Sequence, residues 1–147
     1  MNTLRIAVLA GGWSTERPVS LKSGKAVYNA LSGERYCVTM VDPQKDLEIL
    51  IKTRKEIDLA FILLHGAYGE DGRLQGMLDI LGIPFVGSGV LASAMAMNKV
   101  VAKQVFERAG LQVAEDVVLK RGDPYVAADL VDRLGLPLVI KPVSEGS

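Results

Sequence analysis

The chain has 147 residues, of which 49% are apolar and 23% charged, and its 17 basic residues balance its 17 acidic ones. This length and composition are enough for one ordinary domain, or for a small domain plus a piece of another. Because the chain has no run of basic residues, a surface that binds nucleic acid or anionic membranes is not expected. Because Cys37 is the single cysteine, an internal disulfide is excluded. No segment resembles a membrane span or a secretion signal, so we expect a cytoplasmic protein. Its expected partner is a small molecule.

Apolar runs of strand length alternate with stretches of helical period, which predicts an α/β fold with a parallel sheet. Strands are predicted at residues 4–10, 36–41, 58–64 and 84–86, and helices at about 19–31, 46–53 and 74–81. The first helix is expected to end at Gly33 and to bury an apolar face, which comprises Val19, Leu21, Ala26, Val27, Ala30 and Leu31.

The character of the chain changes after residue 90, where small and flexible apolar residues predominate. A clear helix is predicted from about residue 99 to 109, and a second at about 124–134. Strands are predicted on either side of the second helix, at 116–120 and 138–141. We place a domain boundary near Asn98.

Polar and glycine-rich segments follow the first and third strands, and open parallel sheets bind their ligands at such strand ends. Residues 11–17 read GGWSTER, in which two glycines allow backbone to approach a ligand and Glu16 precedes a helix. From the residues alone, Glu16 either complements the positive helix end or meets a cationic ligand. His65 opens HGAYGEDGRLQG at residues 65–76, and it is either a hydrogen-bonded structural residue or a group that faces a crevice.

The acidic pair Glu70 and Asp71 could be taken for a general acid and base. Adjacent acidic residues at a helix start are better explained as an N-cap and a complement to the helix dipole. Gly66, Gly69 and Gly72 are expected to allow a tight loop.

Lys99 and Lys141 are the candidates for binding nucleotide phosphates. Lys141 ends an apolar run and precedes a proline, whereas Lys99 follows a small-residue helix. A lysine is more often a solvated surface charge, but a compact ammonium also suits diffuse phosphate charge.

The motifs at residues 11–23, 65–76, 84–99 and 138–147 closely resemble those of the D-alanine-D-alanine ligases of the ATP-grasp superfamily. The resemblance covers the whole chain. It implies a Rossmann-like, pre-ATP-grasp substrate domain at residues 1–97 and the first part of an α+β ATP-grasp subdomain at 98–147, truncated at the glycine-rich loop. We therefore expect the amino-terminal half of an ATP-dependent ligase that joins two D-alanines through a D-alanyl phosphate for peptidoglycan synthesis, with this half alone inactive.

The resemblance also implies roles for five residues. Glu16 faces the ammonium of the first D-alanine, His65 lies beside the same subsite, and the Ser147 hydroxyl helps to hold Glu16, so Glu16 and Ser147 are the expected catalytic residues. Lys99 and Lys141 contact ATP. Magnesium (or manganese) would bridge the phosphates through ligands in the other half, and a homodimer would form through the amino-terminal domain. One departure is Asn98, where these ligases commonly have aspartate, although either residue caps a helix.

Two other interpretations are open. A dinucleotide-binding domain of an oxidoreductase shares the order of strand, glycine turn, helix, strand and Asp42, but the Gly-x-Gly-x-x-Gly fingerprint is absent and Glu16 would confront a pyrophosphate. A non-catalytic binding or dimerisation module is the third possibility. Within the ligase interpretation, the sequence leaves open whether D-lactate or D-serine could replace the second D-alanine.

Overall fold

A computed structural model describes residues 3–145, and over this range strands and helices alternate as far as the fourth strand. The strands are β1 (Leu4–Leu9), β2 (Tyr36–Val41), β3 (Leu59–Ile62) and β4 (Phe85–Val86). The helices are α1 (Arg17–Leu31), α2 (Pro43–Lys52), α3 (Arg73–Leu81), α4 (Val90–Met97), α5 (Lys99–Arg108) and α6 (Ala127–Leu134), and a 3₁₀ turn (Arg54–Glu56) follows α2. The sheet has the order β2, β1, β3, β4 with all neighbours parallel, so the predicted α/β fold is confirmed.

The two central strands explain where the core lies. Ile6 of β1 pairs with Val38 of β2 on one side and with Leu59 of β3 on the other. Because a central parallel strand is covered on both faces, its side chains are nearly continuously apolar and buried. The core comprises Ala7, Leu9, Val41, Leu50, Ala60, Leu64, Leu74, Leu78 and Ile83.

Helix α1 packs on the sheet through small residues, and the apolar face predicted for it is wrong. Val19 and Leu21 are exposed, whereas Ser20 and Gly24 are buried. The physical reason is the close approach of helix and strand, because a Cβ atom on Gly24 would lie 2.3 Å from the Cβ of Ala10. The helix also ends earlier than predicted, with Ser32 rather than Gly33 as its C-cap.

Helix α2 begins three residues before the predicted start. Asp42 is its N-cap, and the carboxylate accepts a hydrogen bond from the backbone N–H of Gln44 at 3.2 Å. Pro43 occupies the first helical position, where its missing N–H costs nothing. The Asp-Pro pair therefore ends β2 and starts the next helix at once.

The predicted strands at 116–120 and 138–141 are wrong as strands, since residues 111–126 and 135–145 form no helix or sheet ladder. A strand exists only when a second strand supplies hydrogen bonds, and these two segments do not pair with each other. Polar contacts tie parts of them to neighbouring helices: Lys103 of α5 donates to Asp116 at 2.6 Å, and Arg133 of α6 donates to Glu115 at 3.0 Å.

Asn98 separates α4 from α5, serving as the C-cap of one and the N-cap of the other. Its side-chain oxygen accepts hydrogen bonds from the backbone N–H groups of Val100 and Val101, both at 3.1 Å. The cap expected from the sequence is thus present, while the partition into domains 1–97 and 98–147 stays a prediction. None of the helices within residues 3–145 is long and apolar enough to cross a membrane.

Candidate functional site

The carboxyl ends of β1 and β3 lie side by side, and each leads into one of the polar loops. A buried serine on α1 joins the two ends. Ser20 Oγ accepts a hydrogen bond from the Gly11 N–H at 2.8 Å and donates one to the carbonyl oxygen of Leu63 at 2.6 Å. These contacts fix the start of α1, and hence Glu16, against the segment that leads from β3 to His65.

The loop that follows His65 folds tightly on its own backbone, as predicted. Gly66 has a φ of +67°, and a Cβ atom on Gly69 would lie 2.4 Å from the Cβ of Leu64. The carboxylate of Glu70 accepts a hydrogen bond from the Gly66 N–H at 2.6 Å, and that of Asp71 accepts one from the Tyr68 N–H at 2.9 Å. In the residues described, these carboxylates therefore hold the loop together.

The acidic pair Glu70 and Asp71 was predicted to cap α3, and this prediction is only partly correct. The N-cap of α3 is Gly72, in a left-handed conformation, and it makes no side-chain cap bond. Asp71 still serves the helix start, because its Oδ1 accepts from the Arg73 N–H at 3.2 Å. Glu70 accepts its hydrogen bond from Gly66 and not from the helix, since the left-handed Gly72 turns the chain between Glu70 and the start of α3.

Glu16 stands at the N-cap position of α1, but its side chain makes no capping hydrogen bond. One carboxylate oxygen lies 3.5 Å from the position that a Cβ on Gly66 would occupy, so the half-buried side chain faces the loop after His65. None of the hydrogen bonds formed within residues 3–145 uses this carboxylate, whose charge thus has no protein partner there. A simple helix-cap role does not describe this arrangement.

The imidazole of His65 is also incompletely bonded. Its Nδ1 lies 3.9 Å from Glu70 Oε1, beyond hydrogen-bonding distance. Its Nε2 is buried and has no hydrogen-bond partner within the described part of the chain. Because buried polar atoms are nearly always bonded, this unpaired ring nitrogen makes His65 a candidate for contact with a bound molecule.

The glycine turn after β1 approaches the protein's own side chains. Cβ atoms added at Gly11 and Gly12 would lie 2.6 Å from Asp42 and 2.4 Å from Leu64, respectively. We expected these two glycines to let the backbone approach a ligand, but the groups closest to them are side chains of the protein itself. The two glycines make room for the neighbouring strand ends.

Sequence reasoning missed an ion pair between Arg17 and Asp42, which lies behind the glycine turn. The guanidinium binds both carboxylate oxygens and also donates to the Gly12 carbonyl at 2.9 Å. Burial by itself raises the pKa of Asp42, but hydrogen bonds from Arg17 and the Gly12 N–H outweigh it and leave the pKa below its ordinary value. Asp42 is thus fully engaged within the protein.

Three side chains form a stack between the two loops, which the sequence did not suggest. The Trp13 and Tyr68 ring centroids are 5.1 Å apart with an interplanar angle of 51°. The guanidinium carbon of Arg73 lies 4.7 Å from the Tyr68 centroid. Aromatic residues in both strand-end loops were the signal that could have pointed to it.

The structure brings Lys99 and Lys141 together on one cleft of about 640 Å³. Lys99 Nζ donates to the Glu145 carbonyl at 2.7 Å, whereas no hydrogen bond of Lys141 Nζ is formed within residues 3–145. Glu70 also lines this cleft. Because Glu70 belongs to the loop after His65, the lysine cleft adjoins the site of Glu16 and His65.

Two further expectations concern residues and groups that the structure does not display. Ser147, and Gly146 before it, lie outside the described residues. Among residues 3–145 no group of three or more His, Cys, Asp or Glu side chains could hold a metal ion. The described residues therefore do not fit a magnesium site.

A second cavity, of about 580 Å³, lies at the opposite, amino-terminal end of β1 and is lined by Thr3, Leu4, Arg5 and Asp58. Arg5 and Asp58 form an ion pair of 2.7 Å there. The side-chain hydrogen bond from Arg5 is the main reason that the pKa of Asp58 falls to about 2. The ion pair thus neutralises the two charged side chains that line this cavity.

Comparison with known proteins finds relatives of this chain. A family model described as the D-ala D-ala ligase N-terminus matches residues 44–88. The D-alanine–D-alanine ligase of Syntrophobacter fumaroxidans is 54% identical over 98% of this chain and 46% of its own length, and that of Geotalea uraniireducens is 52% identical over 100% and 46%. The chain thus spans about half the length of the curated relatives it matches.

Solved structures show the same relationship. The Bacillus anthracis D-alanine–D-alanine ligase complexed with ATP superposes with a TM-score of 0.85 at 36% identity, over 97% of this chain and 48% of that one. The Coxiella burnetii ligase gives 0.73 at 29% identity, over 89% and 49%. By sequence and by fold, the chain is similar to the amino-terminal half of the D-alanine–D-alanine ligases.

Proposed function

We propose that this chain supplies the first D-alanine subsite and part of the ATP site of a D-alanine–D-alanine ligase. The observation that carries the proposal is the pair of unpartnered polar groups at adjoining strand ends. The Glu16 carboxylate lies against Gly66, the residue after His65, and the buried Nε2 of His65 also lacks a partner within residues 3–145. An anionic group beside a hydrogen-bonding ring suits the ammonium and carboxyl groups of a small amino acid.

The proposed reaction has two steps. The carboxylate of the first D-alanine attacks the terminal phosphorus of ATP, which forms a D-alanyl phosphate and releases ADP. The amine of the second D-alanine then attacks the acyl carbon, the bond to the phosphate oxygen breaks, and inorganic phosphate leaves with the new amide in place.

The residues of this chain act by binding and orienting. Glu16 holds the ammonium of the first D-alanine, and His65 donates or accepts a hydrogen bond at Nε2 to fix the same molecule. Lys99 and Lys141, on the adjoining cleft, neutralise phosphate charge. The hydroxyl of Ser147 is proposed to support Glu16. No step is assigned to magnesium or manganese, because the described residues do not fit such a site.

The oxidoreductase alternative is disfavoured by Asp42. A dinucleotide-binding domain uses an acidic residue at the end of the second strand to bind a ribose hydroxyl. Here both carboxylate oxygens of Asp42 bind Arg17, and the Gly12 N–H also donates to Oδ1 at 3.0 Å. A ribose would have to displace a largely buried ion pair.

Three broader expectations belong to the same proposal. Residues 1–97 and 98–147 form separate structural domains, the reaction takes place in the cytoplasm where ATP is made available, and the protein forms a homodimer through its amino-terminal domain. The exposed side chains of Ile80 on α3 and Leu91 on α4, 88% and 73% accessible, offer an apolar contact for a second copy. Ile80→Glu should then lower the mass in light scattering to that of a monomer, and an unchanged mass would reject this contact.

The test joins residues 1–147 to the remaining half of the Syntrophobacter fumaroxidans ligase and measures dipeptide formation. We expect the chimera to convert ATP and D-alanine to D-alanyl-D-alanine, ADP and phosphate. Glu16→Gln should impair use of the first D-alanine, whereas Glu34→Gln, which changes an exposed carboxylate outside the site, should not.

The 147-residue chain alone is a further control and should form no dipeptide. A soluble, folded chimera without activity would reject the ligase proposal. Binding of NADH without ATP would favour the oxidoreductase alternative, and self-association with no ligand would favour a dimerisation module.

A further inference from the structure

The stack of Trp13, Tyr68 and Arg73 takes no part in the proposed reaction, yet it joins the two loops that carry the site. Trp13 belongs to the loop that ends at Glu16, and Tyr68 belongs to the loop that begins after His65. Both rings remain substantially exposed, at 40% for Trp13 and 44% for Tyr68. Their contact is therefore separate from the packing of the core.

The backbone at Tyr68 is held in an unfavourable conformation. Its φ is +69°, in the left-handed region that a bulky side chain rarely adopts. Asp71 stabilises this turn, because its Oδ2 accepts from the Tyr68 N–H at 2.9 Å and lies 3.2 Å from Arg73 Nη1. The same carboxylate thus positions the tyrosine backbone and the guanidinium that covers the tyrosine ring.

The two loops also meet at a second point, close to Glu16. A Cβ atom on Gly66 would lie 3.1 Å from the Cβ of Ser14 and 3.5 Å from the carboxylate of Glu16. A shift of either loop would change the distance between Glu16 and His65. The aromatic contact is well placed to prevent that shift, because Trp13 immediately precedes Ser14 and Tyr68 follows Gly66 by two residues.

We propose that Trp13, Tyr68 and Arg73 form a clasp, in which the side chains lock the 11–16 loop against the 66–72 loop and so set the spacing of the amino-acid site. All three are positioning residues rather than catalytic ones. The clasp itself depends only on the observed contacts, whereas its effect on D-alanine rests on the proposed function.

The first test measures hydrogen exchange in the 147-residue chain. The amides of Gly69 and Glu70 donate to the Gly66 carbonyl at 3.2 and 2.9 Å, so their protection reports on loop closure. Since an aromatic pair contributes modestly, Trp13→Ala should speed their exchange by about two- to tenfold, and Trp13→Phe should restore most of the protection. Tyr125→Ala, which removes an exposed ring outside the clasp, should have no effect.

Tyr68→Gly separates the ring from the backbone strain. Glycine accepts a positive φ without strain, so if the strained turn alone governed the loop, exchange would become slower. The clasp predicts faster exchange because the ring is lost. Slower or unchanged exchange in Tyr68→Gly, or unchanged exchange in Trp13→Ala, would overturn the clasp.

The second test examines the substrate in the chimera described above. Trp13→Ala should raise the apparent KM for the first D-alanine by about two- to tenfold, with the KM for ATP unchanged and with rescue by Trp13→Phe. An unchanged KM for D-alanine would overturn the positioning role. An inactive parent chimera would overturn the proposed function, and with it the role toward D-alanine, while the exchange measurement would still decide whether the clasp exists.

Discussion

Gly24→Ala tests whether the close approach of α1 to β1 is as tight as the structure indicates. A Cβ atom at this position would lie 2.3 Å from the Cβ of Ala10, whereas carbon atoms pack comfortably at about 3.5 to 4.0 Å. The obstructing atom is the Cβ of the residue that directly follows β1, so no flexible side chain can move aside. The helix or the strand must shift.

Two opposing contributions decide the sign of the change in stability. Alanine is favoured over glycine within a helix by about 1 kcal/mol. Overpacking of a well-filled core costs about 1 to 3 kcal/mol, and the upper part of that range applies because neither backbone can relax independently. We therefore expect Gly24→Ala to lower the free energy of unfolding by about 1 to 2 kcal/mol.

Urea unfolding measures this effect, with two controls from the same region. Ala26→Gly, at an exposed position of α1, calibrates the helix contribution and should cost about 1 kcal/mol. Ala10→Gly should rescue Gly24→Ala, because it transfers the methyl group from strand to helix and leaves the volume unchanged. If Gly24→Ala were as stable as the parent, or if Ala10→Gly gave no rescue, the packing argument would be refuted.

Four further outcomes are expected. In the chimera, Glu16→Gln should raise the KM for the first D-alanine about ten- to hundredfold with little change for ATP, and equal effects on both would indicate misfolding instead. Lys141→Met should affect the other substrate, raising the KM for ATP more than the KM for D-alanine in the same assay. Asn98→Asp should leave urea stability and activity nearly unchanged, since either residue caps α5; a large loss of ATP affinity would reveal a role for the neutral side chain. The pKa of Asp58 is about 2, so the stability that its ion pair with Arg5 contributes is complete above the ordinary value of 3.8 and is lost as pH falls toward 2. The free energy of unfolding should therefore fall less steeply with decreasing pH in Asp58→Asn than in the parent. An identical slope would contradict the lowered pKa of Asp58.

The central strands were predictable because a parallel strand covered on both faces requires a continuous apolar run, as in β1 and β3. The rule that ligands bind at strand ends directed attention to Glu16 and His65, and the structure places Glu16 against the residue that follows His65. The buried face of α1 was not predictable from apolar periodicity, since the helix approaches the sheet through Ser20 and Gly24. Small residues carry little hydrophobic signal.

The remaining differences concern contacts between distant parts of the chain. Residues 116–120 and 138–141 have strand-like composition, but pairing depends on a partner that local pattern cannot specify. The stack of Trp13 on Tyr68 likewise depends on how two loops meet at the sheet edge. Whether Nε2 of His65 has a hydrogen-bond partner depends on the positions of donors and acceptors from other parts of the chain, which the sequence does not give.

The central claim is that one continuous site binds an amino acid at Glu16 and nucleotide phosphates at Lys99 and Lys141. A crystal structure of the chimera, grown with D-alanine, magnesium and a non-hydrolysable ATP analogue, tests it most directly. The account predicts the D-alanine ammonium within hydrogen-bonding distance of the Glu16 carboxylate and phosphate oxygens at both lysine Nζ atoms. Phosphates bound away from both lysines, or an amino acid bound without contact to Glu16, would contradict it.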